Sequence, residues 1–241
     1  MKKPLSVWML SISMLIGLLS MAKVARSQDN IISLETAKTT LVMQVDAQKR
    51  LHYIYQGAKL DNPSDYNAVP AVERSTADYT GIYNSVYTSS GSRNLLEPAI
   101  TVTHADGNQS LDLQYVSHTS TKISPDIELL KIVLKDPVYP VEVTLYYKSY
   151  KQDNVIEQWS VIVHHEKDDI ILQKFASANL YLKAGSYWLR QYHGDWVKEM
   201  QPEETQLTHG IKTLDSKLGT RANLFMPSVF MVSLDKPAGE D

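Results

Sequence analysis

Residues 128–165 read ELLKIVLKDPVYPVEVTLYYKSYKQDNVIEQWSVIVHH. Three runs, Glu128–Lys135, Val141–Tyr150 and Val155–His165, are rich in β-branched and aromatic residues, with Asp136-Pro137 and Gln152-Asp153-Asn154 between them. Such residues suit a pleated, half-buried surface. Short polar breaks between runs of this length predict consecutive antiparallel strands. After Glu166-Lys167-Asp168-Asp169 a fourth strand is predicted over Ile170–Leu182.

The same reading extends in both directions. Upstream, Thr40–Val45 and Leu51–Tyr55 flank the polar Asp46-Ala47-Gln48-Lys49 and predict a hairpin. A second hairpin is predicted from Ala99–His104 through Ala105-Asp106-Gly107-Asn108 into Ser110–Val116, since Asp-Gly supplies the positive φ angles of a tight turn. Residues 57–98 read as looser chain, broken at Asp61–Asp65, Pro70 and Ser89-Ser90-Gly91-Ser92; so long a loop-rich stretch in a compact domain is usually functional. Downstream, Tyr192 to Asp241 alternates aromatics, glycines and polar residues without a helical period. Glu199–Leu207 has room for a short helical turn, and Pro202 argues against more. This many strands must close on themselves or stack as two sheets, so the fold class is all-β and antiparallel.

At 241 residues, 43% hydrophobic and 21% charged, the chain has material for a sizeable core. A net charge of −3 with no basic stripe argues against nucleic acid. Cysteine is absent, which excludes disulfides, a thiol nucleophile, thiolate zinc sites and a lipoprotein anchor. Lys2 and Lys3 precede an apolar run from Val7 to Met21, and small residues at Ala25 and Ser27 precede Gln28. Residues 1–27 therefore read as an export signal cleaved near Ser27, leaving one domain over residues 28–241 and a periplasmic or extracellular product.

The order of several short motifs carries a family resemblance. Gly194-Asp195-Trp196, Ser216-Lys217-Leu218-Gly219 and Asn223-Leu224-Phe225-Met226-Pro227 follow one another near the end. Earlier come Glu97-Pro98-Ala99-Ile100, Asp106-Gly107-Asn108, Leu111-Asp112-Leu113 with Tyr115 and Ser117-His118, Leu134-Lys135-Asp136, and Val143-Thr144-Leu145-Tyr146-Tyr147. In this order they resemble the N-terminal domain of glycoside hydrolase family 36, the α-galactosidases, over about residues 40–234. The resemblance implies a two-sheet β-supersandwich of the galactose-mutarotase type. It also implies membership of an exported, retaining α-galactosidase acting on α-galactoside oligosaccharides and assembling as an oligomer. The family's two catalytic aspartates lie on a (β/α)8 barrel that would follow this chain. No residue here is thus expected to be catalytic; the domain would brace the barrel, support assembly and lend a loop to the substrate site.

That loop is Tyr87–Ala99. Counting back from Pro98 places Asn94 where the family often has a sugar-binding aspartate, with Arg93 beside it. Asparagine can donate to and accept from hydroxyls but carries no charge. Trp196 is the third candidate, as a stacking face for galactose or a domain-interface residue. Neither a cofactor nor a metal is expected. His164-His165 are neighbours in a predicted strand, so their side chains point to opposite faces. Asp168-Asp169 and Glu203-Glu204 read as solvated turns rather than a glycosidase pair. Two other functions remain open on sequence: a stand-alone carbohydrate-binding sandwich, and an epimerase-like sandwich using His104 and His193 as acid and base.

Overall fold

A computed structural model of the protein describes residues 31–68, 84–92, 97–182, 185–195, 197–215 and 230–236. In chain order the strands are β1 (Ile31–Glu35), β2 (Thr39–Val45), β3 (Leu51–Ala58), β4 (Ile100–Thr103), β5 (Gln114–Lys122) and β6 (Ile127–Lys135). They continue as β7 (Val141–Tyr150), β8 (Val155–His164), β9 (Ile171–Phe175), β10 (Tyr187–Asp195), β11 (Lys198–Gln206) and β12 (Phe230–Leu234). A 3-10 turn, Pro63–Ala68, follows β3. The ladders are β1-β2-β3, β5-β6-β7-β8, β4-β9 and β11-β10-β12, and every strand pairing is antiparallel.

Alternation fixes which face of the four-stranded sheet turns inward. Leu130, Ile132 and Leu134 of β6 are buried, and they lie opposite Tyr147, Leu145 and Val143 of β7, which are buried too. Ile32, Leu34, Leu41, Met43, Leu51 and Tyr53 from the first sheet join the same apolar cluster. Two inner faces therefore close on one core, as a β-sandwich requires. Each large apolar side chain buried there contributes roughly 1.5–3 kcal/mol. The first sheet is also covered outside: a bulge between Val42 and Met43 leaves both buried, and Tyr66 of the 3-10 turn caps that side by donating to Thr40 Oγ1 at 2.9 Å.

Where the chain departs from expectation, long-range bonds outweigh local ones. The turn after β4 forms, with His104 N–H on the Asn108 carbonyl and Gly107 N–H on the His104 carbonyl, both at 2.8 Å. Yet β4 does not pair with the following strand. Residues 109–111 bond instead to Ser89 and Ser90, Tyr115 N–H donates to the Lys49 carbonyl, and β4 pairs with β9. The strand predicted over Ile170–Leu182 is paired only as β9, to Phe175. Beyond it Ala176 N–H donates to the Ala99 carbonyl and Asn179 Nδ2 reaches the Ser85 and Val86 carbonyls. Glu199–Leu207 is strand rather than helical turn. Pro202 sits on β11, an edge strand among the described residues, which is where a sheet tolerates a residue without an N–H. The signal segment lies outside the described residues; among those described, no helix is long and apolar enough to cross a membrane.

Candidate functional site

The Tyr87–Ala99 loop stands on a rigid stem. Val86 and Tyr87 are buried in the core, and the Tyr87 hydroxyl donates to the Ala176 carbonyl at 2.8 Å. The Thr88 carbonyl accepts from Ala99 N–H at 2.8 Å, Ser90 N–H donates to the Ile100 carbonyl at 3.0 Å, and Ser89 and Ile100 form a bridge. The two ends of the loop are thus held side by side. Gly91 has φ +73, and a Cβ there would lie 2.5 Å from the Ser110 Cα, so both its backbone angle and its neighbour require glycine. Arg93 and Asn94 fall between Ser92 and Glu97, outside the described residues. The far side of the stem is tied by an ion pair from Lys174 to Glu97.

Beneath the stem sits a polar cluster that sequence reading did not assemble. His104 is buried, with Nδ1 2.6 Å from Glu166 Oε1 and Nε2 3.0 Å from the Ser110 carbonyl. Glu166 Oε2 also accepts from Ala105 N–H at 3.0 Å. The His104 ring stacks on Tyr139 with centroids 3.6 Å apart, and the Tyr139 hydroxyl donates to Asp106 at 2.9 Å. Burial pushes the Glu166 carboxyl up, but the Ala105 amide and His104 more than offset it and hold it below its ordinary range. The amide of Asn108 and the Tyr139 hydroxyl hold Asp106 down as well. Only Asp-Gly at the turn signalled this site; Glu166 is 62 positions from His104 and nothing local couples them.

The other candidates are dispersed. With both ring nitrogens engaged in the interior, His104 has no free atom for acid–base work on a sugar. His193 lies in β10, half-buried, and its Nδ1 has no partner among the described residues. Trp196 lies outside the described residues; Asp195 before it ends β10 and Val197 after it precedes β11. Asp168 and Asp169 are exposed, and Glu204 pairs with Arg190 at 2.9 Å, so neither acidic pair frames a cleft. No cluster of metal-ligating side chains occurs among the described residues. The arrangement as a whole holds Thr88–Ser90 and Ala99–Ile100 side by side.

Comparison with known proteins accounts for such a scaffold. Residues 49–241 match the family model described as the glycosyl hydrolase family 36 N-terminal domain. The bifunctional α-galactosidase/sucrose kinase AgaSK of Mediterraneibacter gnavus is 26% identical over 235 residues, 88% of this chain and 25% of that protein. The α-galactosidase AgaA of Geobacillus stearothermophilus is 24% identical over 232 residues, 86% of this chain and 32% of that one. In structure, a variant of that AgaA in complex with raffinose has TM-score 0.72 at 22% identity, covering 81% of this chain and 30% of the other. The galactosidase domain of AgaSK has TM-score 0.66 at 24% identity, covering 76% and 28% respectively. The chain therefore spans between a quarter and a third of the length of these curated relatives.

Proposed function

The chain belongs to glycosyl hydrolase family 36 through its N-terminal domain, and from that we propose that it serves as the non-catalytic sandwich of an exported, retaining α-galactosidase. The match of residues 49–241 carries this reading. The sandwich includes β1, upstream of the matched residues, since Ile32 and Leu34 share the core with the matched strands; the proposed domain begins at about residue 28. Its substrates are oligosaccharides with terminal α-D-galactosyl groups, the class represented by the raffinose bound to a structural relative. The catalytic carboxylates belong to a barrel outside this chain.

The sandwich braces that barrel and supports assembly. Four of the five residues of β12, Phe230, Met231, Val232 and Leu234, are exposed apolar side chains, and Val197 is exposed near the other edge of the same sheet. Apolar surface of this kind favours a partner. The loop on the Ser89–Ile100 stem lends Arg93 and Asn94 to the sugar, with Trp196 at a sugar face or the barrel interface. The test uses the native product, captured from its source cells with an antibody against residues 28–241. The expected species is several-fold heavier than 27.2 kDa and releases α-galactose from raffinose before the anomers equilibrate. A product near the mass of this chain without hydrolytic activity would overturn the proposal.

A further inference from the structure

We infer that His104 is a positioning residue for the Ser89–Gly91 stem of the Tyr87–Ala99 loop: bridged to Glu166, it clamps the turn on which that stem rests. The inference depends on the reading above that this loop reaches an α-galactoside.

Proton bookkeeping within the cluster shows why the clamp is specific. The Ser110 carbonyl can only accept, so His104 Nε2 must carry the hydrogen across the 3.0 Å contact. Nδ1 then meets a carboxylate oxygen at 2.6 Å, which needs a second hydrogen between them. The pair therefore holds one proton more than a neutral imidazole beside a carboxylate anion. That hydrogen lies against a carboxyl group whose other oxygen is already fixed by Ala105 N–H. His104 is fully enclosed and Glu166 is 7% exposed, so water offers neither a good substitute. Asp106, bonded to the stacked Tyr139 hydroxyl, and His164 near Glu166 are the other charged or titratable groups beside the pair among the described residues.

The stem sits directly on what this clamp fixes. Leu111 N–H donates to the Ser90 carbonyl at 3.0 Å, and Ser89 Oγ donates to the Leu111 carbonyl at 2.6 Å. Gly91 comes close enough to Ser110 that a Cβ would collide with its backbone. A shift of Ser110 is thus transmitted to Ser89–Gly91 without any compressible side chain between them. Tyr139 stacking alone would not hold the turn, because a ring face does not fix rotation about its normal.

The experiment replaces His104 by Phe, which keeps the ring and its stacking but donates to nothing. Hydrogen exchange of the whole protein reads the amides of Leu111 and Ala99, whose acceptors are Ser90 and Thr88. Expected is at least tenfold faster exchange at both, with Ile132 and Val143 in the β6–β7 ladder unchanged. Glu166→Leu, which can make neither bond, is expected to give a rise of similar size, and reads the same amides if H104F does not fold. Wild-type exchange at Leu111 and Ala99 in folded variants overturns the clamp. In the longer enzyme, KM for raffinose is expected to rise at least threefold with kcat within twofold. Faster exchange with an unmoved KM would leave the clamp standing and overturn the loop's assignment to sugar.

Discussion

Removing two buried hydroxyls singly and together tests how the sandwich satisfies its core. Tyr147 is fully buried and Tyr53 is 4% exposed. The Tyr53 hydroxyl donates to the Asn179 carbonyl at 2.7 Å, so the 3.0 Å contact between the phenols must be Tyr147 donating to Tyr53. Gln158 Nε2 completes the chain by donating to Tyr147 at 3.1 Å. Tyr147→Phe leaves Gln158 half-buried and able to reach water, so it should cost about 1–1.5 kcal/mol. Tyr53→Phe strands the Tyr147 hydroxyl in the core, while the half-buried Asn179 carbonyl can turn to water, for about 2–3 kcal/mol. The double variant removes the very hydroxyl that the second change strands. It should therefore cost roughly 1–2 kcal/mol less than the sum of the singles, as groups sharing one network do. Urea unfolding of the four proteins supplies the cycle. Additivity within about 0.5 kcal/mol would refute the directed chain of donors.

The same pair predicts an alkaline limit: burial pushes the Tyr53 phenol up to about 12 and raises Tyr147 as well. Stability from these neutral phenols is fully present below the unfolded tyrosine range near pH 10. It should fall by up to about 1.4 kcal/mol per pH unit for each phenol as pH climbs from there toward about 12. The fall in stability across that window should be roughly halved in Tyr53→Phe, since the Tyr147 phenol remains. On the acid side, Glu166 is held below its ordinary value, so its contribution is present above about pH 4.5 and lost as pH falls through the folded-state value. Glu166→Gln should remove that acid-limb slope. Gly91→Ala and Gly107→Ala separate two glycine roles. Both have positive φ, but only position 91 meets backbone, so Gly107→Ala should cost about 1 kcal/mol and Gly91→Ala clearly more in the same denaturation assay. Val197, a β-branched residue at φ 63, should gain about 1 kcal/mol of stability on replacement by Asn, read as a rise in Tm.

Local signals served where partner strands adjoin in sequence. The hairpins β2–β3, β6–β7 and β7–β8 were legible because a short polar turn joins two strands that stay paired from the turn outward, whereas β4 leaves its turn partner for β9. The order of short motifs was enough to suggest the family, since spacing along a chain needs no coordinates. The candidate site was legible only in part. The Tyr87–Ala99 loop stands out in the sequence by its turn residues; the structure describes its stem, while Arg93, Asn94 and Trp196 lie outside the described residues. Glu166 was read as turn punctuation, and it became the buried partner of a histidine that had been offered as a catalyst.

By itself, then, the sequence determined the antiparallel β character of the chain and the short-range pairings β2–β3, β6–β7 and β7–β8, because period-two alternation and turn chemistry act within a few residues. Tertiary structure decided who pairs with whom at a distance. Alternation says which face of Ile100–Thr103 is buried but not that its ladder partner is Ile171–Phe175 rather than the next strand. Nor does a proline in Lys198–Gln206 forbid a strand once that strand lies at a sheet edge. Buried donors and acceptors must be satisfied by whatever the fold brings within reach. The roles of His104, Glu166, Tyr53 and Tyr147 were therefore set only when the sheets closed.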